Sequence, residues 1–159
     1  MKIGIMSDTH DDVHTLAKAK DVFLKEKVDA VLHAGDFVAP STVAAMEGLK
    51  PIAVLGNNEA EWRLADAFRK IGGELHGRFV ELEYDGLKIA MYHGTHKEML
   101  NALIECKKYD VVIYGHTHQK DEQRVNNTLV INPGAANQYG DPSIAILDTT
   151  AKKVTFVDL

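Results

Sequence analysis

The sequence predicts an α/β fold in four layers, an α/β/β/α sandwich of two mixed sheets packed face to face with helices outside. Three observations predict it. Apolar, β-branched runs at Ile3 to Met6, Ala30 to Leu32, Ile52 to Leu55, Leu87 to Tyr92 and Val111 to Tyr114 are too short for helices and read as buried strands. Segments of helical period lie between them, which implies parallel βαβ units. The C-terminal half then adds more strands than one open parallel sheet would take.

The elements follow in chain order. Val13 to Lys25 sets Val13, Leu16, Ala17, Ala19, Val22 and Phe23 largely on one helical face, and Asp11 and Asp12 stand where a cap and a negative charge suit the helix dipole. A shorter helix opens at Pro40-Ser41-Thr42 and ends by Gly48 and Pro51. A third covers Glu59 to Lys70 and stops at Gly72-Gly73, and Met99 to Cys106 repeats the pattern. Val80 to Tyr84, Asp85-Gly86 and Leu87 to Tyr92 spell a hairpin, as do Gln123 to Val125, Asn126-Asn127 and Thr128 to Ile131. Ser143 to Leu147 and Val154 to Val157 are two more strands with no helix between them.

The 159 residues suit one domain spanning 1–159, large enough for a core without disulfide or metal staples. The formal charge is -5 and no block of Lys or Arg occurs, so no stable nucleic-acid complex is expected, whereas a small phosphoester substrate is compatible. Cys106 is the sole cysteine and reads as a semi-buried position on an amphipathic helix. The run from Met1 to Asp8 is too short for a signal peptide or a membrane span, which points to a cytoplasmic protein without membrane attachment. A homodimer is the common oligomeric outcome.

The chemistry lies where polar clusters fall. Asp8-Thr9-His10 follows the first strand, Gly35-Asp36 the second, Gly56-Asn57-Asn58-Glu59 the third, His93-Gly94 the fourth of the runs named above, and Gly115-His116-Thr117-His118 the last. Carboxyl ends of parallel strands share one edge, so these residues are expected to converge. Singly, each cluster is more often a turn or a helix cap than a ligand set. Together they offer two Asp, one Asn and four His, with no thiolate and more donors than one tetrahedral zinc needs. With one bridging carboxylate, two divalent ions would sit about 3.5–4 Å apart. Four imidazoles favour Mn²⁺, Ni²⁺, Fe²⁺, Co²⁺ or Zn²⁺ over a purely hard-ion site; Mn²⁺ is the first choice and Mg²⁺ a remaining alternative.

In this order the motifs D-x-H, G-D, G-N, H and G-H-x-H resemble those of the calcineurin-like metallophosphoesterase superfamily, and Asn132-Pro133-Gly134 resembles a turn of its small bacterial and archaeal branch, which includes relatives of a retromer subunit. The resemblance implies the α/β/β/α sandwich. It also implies that Asp8, His10 and His118 hold one metal, that Asn57, His93 and His116 hold the other, and that Asp36 bridges. The expected reaction is hydrolysis of a phosphoester, most readily a diester, by a bridging hydroxide attacking phosphorus in line.

One position departs from the family pattern. Many catalytic members have His after the motif asparagine, where this chain has Asn58, and an amide cannot protonate a leaving oxygen. Asn58 and His96 are therefore the candidate catalytic and substrate-binding residues beside Asp36, with His96 a substitute acid or simply a solvated histidine. Glu59 reads as the start of the third helix rather than as a partner of Asn58. His33 reads as a packed core residue or a support for a ligand, His14 and His76 as solvated, and Trp62 as a cover for the core. The competing functions are a metal-stapled protein-binding scaffold, a phosphomonoesterase, and a hydrolase or store with a single metal.

Overall fold

A computed structural model describes residues 1–59 and 61–159. Two mixed sheets face each other. The first has the order β11-β10-β1-β2-β3-β4, from β1 (Lys2–Met6), β2 (Ala30–His33), β3 (Ile52–Ala53), β4 (Glu74–Leu75), β10 (Ser143–Asp148) and β11 (Lys153–Asp158). The second has the order β5-β6-β7-β9-β8, from β5 (Phe79–Tyr84), β6 (Leu87–Tyr92), β7 (Val111–Ile113), β8 (Lys120–Val125) and β9 (Thr128–Pro133). Strands β1 to β4 are parallel, as are β6, β7 and β9, whereas β10, β11, β5 and β8 join by antiparallel pairing.

Period-two alternation sorts the side chains. In β1, Ile3 and Ile5 enter the core between the sheets with Leu32, Ile89, Ile113 and Ile131, while Met6 faces outward to a second cluster. That outer cluster is completed by helices α1 (Val13–Glu26), α2 (Pro40–Ala45) and α3 (Glu61–Lys70), through Leu16, Phe23, Val43, Leu64 and Phe68. Gly4 lets α1 lie close, since a Cβ there would come 2.7 Å from the Phe23 ring. On the far side α4 (Lys97–Glu105) covers the second sheet through Leu100, Leu103 and Ile104 over Ala90, Val112 and Val130.

Several expectations are corrected. The ladder of β3 ends at Ala53, but Val54 and Leu55 keep bonding sideways to the His33 and Gly77 carbonyls as the chain peels toward Gly56. Strand β4 was invisible to patterning because two residues carry no period. Asp12 alone caps α1, accepting from Thr15 N at 3.0 Å. Asp11 instead ties a neighbouring loop, accepting from Ala39 N and the Thr42 hydroxyl. Val13 and Ala17 are exposed, so the buried stripe of α1 is narrower than its apolar composition. Cys106 is exposed rather than semi-buried. Trp62 is 77% exposed and covers no core; its ring stacks under the Arg63 guanidinium, 5.1 Å away. The start expected for the third helix runs through Ala60, which lies outside the described residues; α3 is described from Glu61.

Candidate metal centre

The carboxyl ends of β1, β2, β3, β6 and β7 open on one edge, and the five polar clusters meet there. Backbone bonds lace their loops together: Asp8 N donates to Gly35 O, His10 N to Asp36 O and Gly115 N to His93 O. Glycine is required where loops cross closely. A Cβ on Gly56 would lie 2.0 Å from Asp36 Oδ1, and one on Gly115 would lie 1.9 Å from Ser7 Oγ. Asp8, His10, Asp36, His116 and His118 all have left-handed backbone, φ between 42° and 69°, an arrangement that turns successive side chains inward at some conformational cost.

Asp8, His10 and His118 form one cluster able to hold a cation, and Asp8, Asp36 and His93 a second, the donor atoms of each lying within 4.8 Å of one another. Asp8 Oδ1 is 3.3 Å from His118 Nε2 and 3.8 Å from His10 Nε2. Asp36 Oδ2 stands between the groups, 3.5 Å from His10 Nε2 and 3.4 Å from His93 Nε2. The imidazoles pair in the same way, with His10 against His118 at 5.1 Å and His93 against His116 at 5.2 Å between ring centres. Asn57 Oδ1 lies 3.1 Å from His93 Nε2. The donors fit two divalent ions on a further count: Asp8 Oδ1 and His10 Nε2 are buried without a hydrogen-bond partner among the described residues, which a bound cation would remedy.

Neighbouring groups aim these donors. His93 Nδ1 donates to the Ala34 carbonyl at 2.8 Å, which leaves Nε2 as the atom able to coordinate a cation. Asp36 Oδ1 accepts from Asn57 N and Asn58 N, and Oδ2 accepts from the Asn58 side-chain amide at 2.6 Å. Asp8 Oδ2 accepts from His116 N at 2.9 Å, leaving Oδ1 for a cation.

Electrostatics follow from this packing. Burial opposes ionisation of Asp36, yet the bond and charge of His93, helped by Asn58, hold its carboxyl far below the usual carboxylate range. Asp8 is likewise lowered, because His10 and His93 outweigh its burial. The nearby Asp8 carboxylate raises His10 against partial burial; His93 is raised by Asp36 and Asp8 against its own burial. His33 behaves oppositely: fully buried, it falls to about 4. Its Nδ1 accepts from Gly35 N at 3.1 Å, so Nε2 carries the proton and faces Thr9 Oγ1 at 3.2 Å. His33 thus joins the D-x-H loop to the G-D loop as a neutral side chain.

Glu59 gains a role the sequence reading did not include. Its carboxylate accepts from Gly56 N, Phe37 N and Val38 N, clasping two site loops. Burial, then the charge of Asp36, raises its pKa. His96 is the exposed N-cap residue of α4, and its backbone N–H donates to the Tyr92 hydroxyl.

Two buried asparagines were missed as site residues. Asn132 Nδ2 donates to Gly115 O and Thr117 Oγ1, pinning the G-H-x-H loop, and Asn137 Nδ2 donates to Asp8 O. The available signal was topological. Strand β9 pairs antiparallel with β8 but parallel with β7, so its carboxyl end belongs to the site edge too.

Two β-sheets flanked by helices, with paired imidazole and carboxylate clusters at one edge, define a metal-dependent hydrolase architecture. Residues 1–152 match the model of the calcineurin-like phosphoesterase superfamily domain, and the chain belongs to that superfamily. It is 43% identical to phosphodiesterase MJ0936 of Methanocaldococcus jannaschii, over 96% of each chain. A probable metallophosphoesterase of Methanothermobacter thermautotrophicus is 27% identical over 97% of this chain and 89% of its own. The solved structure of an archaeal phosphodiesterase superposes with a TM-score of 0.93 at 41% identity, covering both chains fully. The zinc complex of Vps29 from Entamoeba histolytica shares the fold, with a TM-score of 0.72 at 18% identity over 99% of both chains.

Proposed function

We propose that this chain is a metal-dependent phosphodiesterase in which Asp8, His10 and His118 hold one divalent ion, Asn57, His93 and His116 hold the other, and Asp36 bridges. The observation that carries the reading is the pair of buried atoms, Asp8 Oδ1 and His10 Nε2, left without hydrogen-bond partners among the described residues where the five loops meet. The 43% identity to a phosphodiesterase over nearly the full length supports diesters as substrates. Mn²⁺ is the first ion to test. When bound, the cations would supply a water of lowered pKa and neutralise charge on the phosphoryl oxygens.

The chain's own residues orient and hold. Asn58 donates to Asp36 and so fixes the bridging carboxylate, while its amide cannot pass a proton to a departing oxygen. His96, at the head of α4, is the residue we assign to that proton or to the substrate phosphate. Asp36, Asn58 and His96 then form the reacting set. We read the chain as one domain, because side chains of both sheets share the central core. Exposed Trp62 is the face we assign to self-association.

Mn²⁺-loaded protein should hydrolyse bis(4-nitrophenyl) phosphate, and Asp36→Asn should reduce the rate to background. Equal rates for the two proteins would sink the proposal. A stable protein complex indifferent to chelation would favour the scaffold reading instead.

A further inference from the structure

A groove of about 420 Å³ runs from the candidate metal centre along α4, between that helix, Tyr114 just beyond β7, and Gln123 of β8. Its metal end is formed by Gly94, Thr95, His116 and Thr117, so it is continuous with the site where a phosphoester would react. Its floor is apolar, from Leu100, Ile104 and Tyr114. Side-chain amides of Asn101 and Gln123 rim it, and Lys97 is its one charged lining residue. The size and the mix of apolar floor with few polar groups match small-molecule sites.

Two of the walls are held in place from behind. Asp121 Oδ2 accepts from the Tyr114 hydroxyl at 2.8 Å and from Gln123 Nε2 at 3.1 Å. Ring and amide are thus set before a ligand arrives, which lowers the ordering cost of binding.

We propose that this groove receives a nucleoside group carried on the phosphodiester, making the substrate a nucleotide-derived diester. The inference rests on the phosphodiesterase reading. An apolar floor suits the face of a base, and amides, which both donate and accept, suit its edge. The hydroxyls of Thr95 and Thr117 lie at the metal end, where the sugar would join the phosphate. From Lys97 to Ile104 the helix supplies roughly 10 Å of wall, so sugar and base lie in line along it. A simple alkyl chain would make no use of these amides.

The test compares 4-nitrophenyl diesters that share one leaving group and differ in the other alcohol: thymidine (through its 5′ oxygen), methanol and octanol. With metal-loaded protein, kcat/KM for the thymidine ester is expected to exceed that for the methyl ester by about tenfold or more. Asn101→Trp, which fills the groove from an exposed position, should bring that ratio toward one, and Gln123→Leu should lower it several-fold. Independently, thymidine 5′-monophosphate added to metal-free protein should shift the side-chain amide resonances of Asn101 and Gln123. Hydrolysis of all three esters with the same ratio in wild type and variants overturns the groove assignment and spares the phosphodiesterase reading. Preference for the octyl ester also overturns it. If no ester is cleaved, the phosphodiesterase reading fails, and unmoved amide resonances then overturn the groove as well.

Discussion

At the scale of the residue, Asn58 decides more than any other position. Its amide holds Asp36 at 2.6 Å but supplies no proton. Asn58→His should therefore raise kcat for an ester with an alkyl leaving group, by about 10²-fold if the imidazole acts as general acid, with less effect on an aryl ester. Equal effects on both would show that the imidazole serves binding alone. His96→Ala should depress the alkyl ester more than the aryl ester if His96 carries the proton. Candidate ligand types were legible in the sequence because each falls in a short polar cluster that follows a strand-like run. The roles of Glu59, Asn132 and Asn137 were not, since each acts through the backbone of a residue far off in the chain. Sequence spacing holds no record of such contacts.

At the scale of the element, loops rather than helices set the site. Asp12 caps α1 and also accepts from Gln138 N, tying the helix start to the segment after β9. Asp12→Ala should cost about 1 kcal/mol of stability, read by urea unfolding, and should lower metal affinity if the tie matters to the loop carrying Asp8 and His10. Gly115→Ala is expected to be far worse, because the new Cβ would strike Ser7 Oγ and Asp8 Oδ2; a metal-titration curve unchanged from wild type would contradict this. Helix α1 was readable from its period, and β6 from its apolar run and the Asp85-Gly86 turn before it. Two-residue β4 and the outward-facing Val13 and Ala17 were not, because composition alone does not say which apolar residues a neighbouring element covers.

At the scale of the whole molecule, stability and metal loading are linked. Chelation should lower Tm on the order of 10 °C relative to protein with metal at 1,000 times Kd, given about 4 kcal/mol of linkage. In metal-free protein, His33 adds a pH dependence of known sign. Burial lowers it to about 4 from an ordinary 6.5, so the unfolded chain takes up the proton first. Its contribution is full above pH 6.5 and is lost as pH falls toward 4. His10 and His93, raised in the folded state, contribute in the opposite sense. Comparing Tm profiles of wild type and His33→Asn isolates the first effect: the gap between them should narrow between pH 6.5 and 4. The layered architecture was inferable from strand count and alternation. The order of the strands was not, because β10 enters beside β1 through pairing partners some 140 residues apart.

The left-handed backbone at Asp8, His10, Asp36, His116 and His118 has a bearing on how such a protein changes over time. The spacing of the proposed ligands there resides in loop conformation, so few substitutions in those loops would leave it undisturbed. The walls formed by α4 and β8 carry no such burden. Lineages could exchange Leu100, Asn101 or Gln123 freely, and new substrates would then arise on one face of an inherited centre whose own chemistry stays put.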